Sequence, residues 1–565
     1  MKKNNLYVAF AILIVSIFAT SCSVMKDLEY EVKENPVEMH GDKITVKIDG
    51  KFIEKGLNSK AFVTLTPTLV NAAGDELEFE PKSFKGEKAA GNGEVVKKDG
   101  HNFSYTSTKP YDSKFDNSEL IVKYLVLKGG KEKLNDKTPK IADALILTPQ
   151  LIINDDKVVM EEIVLVRSEN KSSKAVINFD KAKSNLRFNE KSDADIIAFQ
   201  DFIISGNANS KIVYNGIEIL SYASPEGEMD RNSNLASDRG ITTEKFLMSL
   251  NKKKKLNLNP SIITKTPKGE DWDGLKDLIS KSNHEDKNII IAVAEMESDP
   301  AKREEEIKAL STTYEFLDKD IFPALRRSQL VLNYTEFGFS DEELFSISKT
   351  NPERLTTEEL LFTATMLVND KDEKLSLFNE AIKKGDNDWR SFTNAGVVLY
   401  NKGMITEANE MFKKAYSAEK NATTSNNMGV VKRQAGDIDG AIELFQNASA
   451  TGNAANYNMG LINIKKGEYS KAISNMGEVN TYNKALAQKL NKDYSSASTS
   501  LMNSDQANTA KGLYLKAIIA ARQGNESDVI SSLMKAFEKD SSLRSKAKND
   551  REFINFFENA AFKAL

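Results

Sequence analysis

Asn427-Met-Gly-Val-Val-Lys-Arg-Gln-Ala-Gly-Asp-Ile-Asp-Gly-Ala-Ile-Glu-Leu-Phe-Gln-Asn-Ala448 carries the spacing that decides the C-terminal fold. Gly429 is followed seven positions on by Gly436 and five further on by Ala441, with Ala448 closing the set. The same offsets occur upstream at Gly396, Gly403, Ala408 and Ala415, and downstream at Gly460, Gly467 and Ala472. Ala517, Gly524, Val529 and Ala536 keep them once more. The first three sets lie 33 and then 31 residues apart. The first small residue lets a partner helix approach closely, the next glycine makes the turn, and the alanine seats the second helix against the first. Phe412 and Phe445 fill the next layer. One such hairpin cannot bury its own apolar face, so copies must stack.

This pattern resembles the tetratricopeptide (TPR) repeat, whose period is about 34 residues. The resemblance implies an all-α solenoid over residues 360–560, with 360–384 and 483–500 as degenerate copies. Such an array curves and presents a concave face. Asn394, Asn427 and Asn458 recur at matching positions and are candidates for lining that groove, where asparagine amides can hydrogen-bond an extended partner's backbone. A structural role between repeats is the competing reading. Trp389 and Tyr400 read as core.

Upstream, residues 174–336 alternate strands and helices, the signature of an α+β layer with a mixed sheet. Val176-Ile-Asn-Phe179 reads as a strand, then residues 193–204 as a helix with Ser192 as its N-cap. Ile217-Glu-Ile-Leu220 is a second strand, and residues 235–250 a second helix. Ile217-Glu-Ile-Leu-Ser-Tyr-Ala-Ser-Pro-Glu-Gly227, Asn234-Leu-Ala-Ser-Asp-Arg-Gly240 and Leu325-Arg-Arg-Ser-Gln-Leu-Val-Leu332 together resemble the OmpA-like, peptidoglycan-associated domains. That resemblance implies that Arg239 pairs with a stem-peptide carboxylate, a ligand suited to a planar guanidinium fork. The family aspartate fifteen positions before the arginine is Ser224 here, and Glu226 is the nearest substitute carboxylate. Arg326 and Arg327 fall beside the same groove or at a sheet edge. Residues 337–359 read as a helical linker.

Residues 43–170 read as an all-β sandwich. Lys43-Ile-Thr-Val-Lys-Ile-Asp49 alternates apolar and polar residues, and Asp49-Gly50, Asp99-Gly100 and Gly129-Gly130 supply turns. Leu65-Thr-Pro-Thr-Leu-Val70 is echoed by Leu147-Thr-Pro-Gln-Leu-Ile152, either as a duplicated half-domain or as two edge strands that tolerate proline. The N-terminus begins with Lys2 and Lys3 and an apolar run over 6–18, then Ala19-Thr-Ser-Cys22. This resembles a lipoprotein signal peptide (1–21) cut before a cysteine that carries lipid, followed by a lipidated tether over 22–42. Cys22 is the only cysteine in the chain. The resemblance implies palmitate-type acylation and an outer-membrane anchor, on the periplasmic face or at the cell surface.

The 78 basic and 82 acidic residues leave net −4, which argues against nucleic acid as a partner. His40, His101 and His284 share no ligand spacing, so no metal site, cofactor or catalytic residue is expected. The sequence thus points to a multidomain, non-enzymatic lipoprotein scaffold that recruits a protein through its repeat groove and touches peptidoglycan through its central domain. The competing reading keeps the architecture and drops the wall, as in a fimbria-like adhesion component. A wall-acting hydrolase is the third.

Overall fold

The computed structural model describes residues 24–133, 138–296, 299–309 and 311–565. Cys22 and the leader lie outside them. The chain forms two units: one joins the N-terminal β region to the C-terminal array, Met1–Glu162 with Asp370–Leu565, and the other is Ile163–Asn369.

Among the described residues eleven strands build the β region: β1 Leu28–Val32, β2 Val37–His40, β3 Lys43–Phe52, β4 Ala61–Asn71, β5 Glu76–Glu78, β6 Lys82–Gly86, β7 Glu94–Val96, β8 His101–Pro110, β9 Ser118–Lys128, β10 Lys131–Lys133 and β11 Lys140–Ile146. They make one sheet in the order β1-β3-β2-β11-β9-β4-β6-β7, with β8 beside β3. The expected sandwich is therefore a single sheet folded over. Its seam is β2, which pairs antiparallel with β3 and parallel with β11. The strict alternation of β3 sends Ile44, Val46 and Ile48 inward onto Leu69 of β4 and Leu120 of β9. The proline echo is not a duplication. Leu65–Val70 lies inside β4, whereas Thr148–Leu151 is a 3-10 turn. Nor is β4 an edge strand. Pro67 faces the interval between the β6 and β5 ladders, where a missing N–H costs no sheet bond.

The array is a stack of antiparallel helix pairs. The inner helices include Trp389–Asn401, Ala422–Gln434, Asn453–Lys466, Tyr482–Leu490 and Ala510–Arg522. Their partners include Ile405–Ala418, Ile438–Asn447, Tyr469–Met476, Tyr494–Met502 and Glu526–Lys539. A Cβ on Gly396 or Gly429 would lie 2.6 Å from the ring of Phe412 or Phe445. Both rings are buried, each contributing about 1.5–3 kcal/mol. Gly403 and Gly436 sit at φ +78° and +85°, so the interhelical turn needs glycine there for a second, conformational reason.

Inside the first unit the β region docks on the array. The amide of Gly41 donates to the hydroxyl of Tyr469 at 2.9 Å, and Arg522 pairs with Glu38 of β2 at 2.9 Å.

The other unit holds a four-stranded sheet of β12 Ser168–Asn178, β13 Ile212–Ala223, β14 Ile263–Glu270 and β15 Arg327–Phe337, in the order β12-β15-β13-β14. The β13–β14 pair is parallel and the others antiparallel. Helices Ala194–Asn207 and Met229–Lys254 pack on it over Ile177, Ile217, Ile219 and Leu330. Ser192 is not the cap of the first helix. Asp193 occupies that position, while the Ser192 hydroxyl donates to the Asn189 carbonyl. Residues 288–293 fall in the helix Lys287–Met296. The residues read as a linker fold into this unit, beginning with the Asp341–Thr350 helix and its Ser340 capping box.

Gly429→Val is expected to destabilise the array by about 1–3 kcal/mol through overpacking against Phe445. Thermal unfolding of the two chains followed by circular dichroism measures it.

Candidate functional site

The concave face of the array is occupied by the chain itself. Residues 152–161, which follow the β region, run along it without forming helix or strand. Each inner-helix asparagine grips one residue of this strap in both directions. Asn483 accepts from the Ile153 amide at 3.0 Å and donates to its carbonyl at 2.8 Å. Asn458 does the same at Lys157, at 2.8 and 2.9 Å. Asn427 holds Val159 at 2.8 Å both ways, and Asn394 holds Glu161 at 2.8 and 3.1 Å. The four asparagines are buried. A side-chain amide offers one acceptor and two donors, so it completes a backbone unit as a neighbouring strand would.

The last three rungs are two residues apart in the strap, the repeat of an extended chain. Gripped residues therefore alternate with residues that face the array. Val158 packs against the cluster that holds Val430 and Phe445, and both Val158 and Met160 against the one that holds Val397 and Phe412. The step from Ile153 to Lys157 is longer and carries two carboxylates. Asp155 accepts from the Tyr457 hydroxyl at 2.7 Å and the Asn483 amide at 2.7 Å. Burial pushes its carboxyl up from the ordinary range. Asp156 makes a bidentate, fully buried pair with Arg433, whose Nη2 also donates to Asn154 at 3.2 Å. The Lys157 ammonium lies 4.8 Å over the Tyr457 ring.

The ladder stops where the chemistry changes. In the Ala510–Arg522 helix the matching position is Leu515, which packs with Leu151, Ile152 and Ile153 of the strap. Just before them, Thr148 and Lys489 donate to Glu552, which also receives Arg522 Nε at 2.5 Å. Burial pushes the Glu552 carboxyl up, but the charges of Lys489 and Arg522 outweigh it and hold the group at about 2.

Asn394, Asn427 and Asn458 thus line the groove, where their amides hold the backbone of this chain's own segment. Sequence reasoning missed Asn483, because Ala485 stands where the other copies have glycine two residues on. It also missed Arg433 and Tyr457, whose ligands are remote in sequence. Trp389 and Tyr400 are half-buried.

The three residues matched to wall binding lie in the other unit with their polar groups already engaged. Arg239 is fully buried and donates to the carbonyls of Lys183 at 3.1 Å, Tyr222 at 2.8 Å and Asp180 at 3.2 Å. Its guanidinium also lies 5.3 Å over the Phe179 ring. Burial, reinforced by the charge of Arg326, lowers its pKa to about 10. The Ser224 hydroxyl donates to Glu226 at 2.6 Å. Glu226, the carboxylate nearest Ser224 in sequence, is buried in a bidentate pair with Arg326 at 2.8 and 3.0 Å. Lys181 and Asp318 complete that network. Arg327 pairs with buried Asp271 at 2.9 Å and lies over the Tyr222 ring.

The histidines are dispersed: His40 pairs with Glu34, His101 with Glu94, and His284 stacks on Phe316. Among the described residues no group of three or more His, Cys, Asp or Glu is placed to hold a metal ion. Among them, too, no helix is long and apolar enough to cross a membrane.

No family model matches the chain, and no curated protein does. Among solved structures it is similar to YrrB, described as a TPR protein with an unusual peptide-binding site (20% identity, 37% of this chain and 100% of that one, TM-score 0.21). It is also similar to a tetratricopeptide repeat protein from Parabacteroides merdae (14% identity, 45% and 98%, TM-score 0.27). A third similar structure is the C-terminal part of a TPR protein from Cytophaga hutchinsonii (18% identity, 37% and 90%, TM-score 0.25). The helix pairs and the glycine contacts described above make the C-terminal region a TPR-like array.

Two outcomes follow from the buried charges. Arg433→Met, which strands Asp156, should cost about 3–5 kcal/mol, and adding Asp156→Leu should recover most of it, as urea unfolding of the single and double variants would read. Glu552 has a depressed carboxyl, so its contribution to stability is present above about pH 4.5 and lost as pH falls toward about 2. Urea unfolding at pH 6 and pH 3 should show that loss in the native chain and a smaller one in Glu552→Gln.

Proposed function

We propose that this chain is a non-enzymatic scaffold of the bacterial outer membrane, anchored by lipid on Cys22, whose array recruits protein partners. The asparagine ladder carries the reading. A row of buried side-chain amides, each saturating one residue of an extended backbone, is a device for holding peptide rather than for breaking bonds. The short apolar leader ending at the chain's single cysteine supports the anchor.

For the central unit, a strand running into a loop, a long helix bearing Arg239 and a closing strand from Arg327 support membership of the OmpA-like group. The state of Arg239 favours the variant of the proposal without wall binding. Three backbone carbonyls and the Phe179 face already satisfy its guanidinium, and Ser224 and Glu226 are spent on each other and on Arg326. A stem-peptide carboxylate would have to displace bonds that hold this fold together.

Metabolic labelling of cells with an alkyne fatty acid should tag the native chain and leave Cys22→Ser untagged and released from the membrane fraction. Sedimentation with purified sacculi should leave the native protein in the supernatant; co-sedimentation would reinstate the wall. Crosslinking in native membranes, followed by identification of the captured proteins, tests recruitment. A chain that is unacylated and captures nothing defeats the proposal.

A further inference from the structure

The strap lies in the groove as a ligand would. Of its residues only Asp156 is fully buried; Val158, Val159 and Met160 are half-buried, and Asn154 and Lys157 are exposed. The backbone of 152–161 makes one hydrogen bond to other backbone, Asp155 to Ile153 at 3.1 Å, and otherwise bonds to array side chains. Val158 and Met160 pack against the clusters that hold Phe412, Phe445 and Ala441, so a segment that replaces the strap must bring apolar residues of its own. The grip is on main chain, which any extended segment supplies. Selectivity rests on the acidic pair: Asp155 at Tyr457 and Asn483, and Asp156 at Arg433. Three-residue spacing then brings an apolar residue after each carboxylate, Val158 after Asp155 and Val159 after Asp156.

We infer that residues 152–161 are a built-in competitor in a peptide-binding groove, and that the partner is an extended segment with two adjacent carboxylates followed by apolar residues, which displaces the strap. The inference rests on the reading of the array as a recruiting scaffold and names the partner's chemistry. A tethered occupant acts at an effective concentration in the millimolar range, so a partner must match its contacts to replace it. Occupancy in cis thereby sets a threshold, because the apparent affinity falls with the fraction of open grooves.

The test uses the full chain and a labelled peptide of residues 150–162. Native-state hydrogen exchange should release the amides of Val159 and Glu161 at least tenfold faster than those of Val430 and Val431 in the Ala422–Gln434 helix, because the strap opens while the array stays folded. Asp155→Asn with Asp156→Asn weakens the strap and leaves the groove intact. That chain should bind the peptide at least tenfold more tightly than the native one. Adding Arg433→Ala, or using a peptide with both aspartates changed to asparagine, should remove the gain. The inference is overturned if the strap amides exchange only as slowly as Val430 and Val431, which marks a permanent brace. It is equally overturned if the folded, weakened chain takes up no peptide. Should that variant not fold, the exchange measurement on the native chain decides. If membrane crosslinking still captures partners when these tests fail, recruitment uses another face and the scaffold reading stands; if it captures none, both fall.

Discussion

A backbone amide or carbonyl removed from water must find a partner, and that requirement organises the unit formed by the β region and the array. The strap has no neighbouring strand, so its polar groups at residues 153, 157, 159 and 161 are answered by asparagines 483, 458, 427 and 394. The constraint is reciprocal. Asparagines buried on the inner helices would be costly in an empty, dry groove, and the strap satisfies their donors and acceptors in turn. One ladder therefore fixes the register of the strap against the array.

Charge then fixes what the amides cannot. Backbone clamps recognise any extended segment, but Arg433 recognises Asp156. A buried ion pair adds little net stability over an apolar pair, yet it penalises every arrangement that leaves one charge unmatched. The Lys489–Glu552–Arg522 group has the same effect where the strap begins, drawing in Thr148 of the strap's lead-in and Glu38 of β2.

The central unit is braced by a buried guanidinium. Arg239 lies in the helix Met229–Lys254, which follows β13 and a loop. Its fork turns inward and holds the carbonyls of Asp180, Lys183 and Tyr222, tying the segment after β12 to the end of β13. Five N–H donors on a rigid plane suit such bracing as well as they suit a carboxylate.

The repeat was legible in the sequence because its causes are local. Gly396 and Gly429 admit a ring, Gly403 and Gly436 adopt a left-handed turn, and the helix period brings these residues to one contact. Strand alternation in β3 and the helix patterning around Ile196 and Phe199 were legible for the same reason. The matching asparagines were visible too, although Asn483 was hidden by the glycine-to-alanine change beside it. Tertiary structure alone decided what those asparagines hold. Residues 152–161 are separated from their clamps by more than two hundred positions, and their sequence has no helical or strand period of its own. Folding of the single β sheet through the β2 seam and the inward turn of Arg239 were likewise set by pairings distant in sequence. Local patterning specifies which surface each element offers, whereas the identity of a polar group's partner depends on which distant atoms arrive within hydrogen-bond reach.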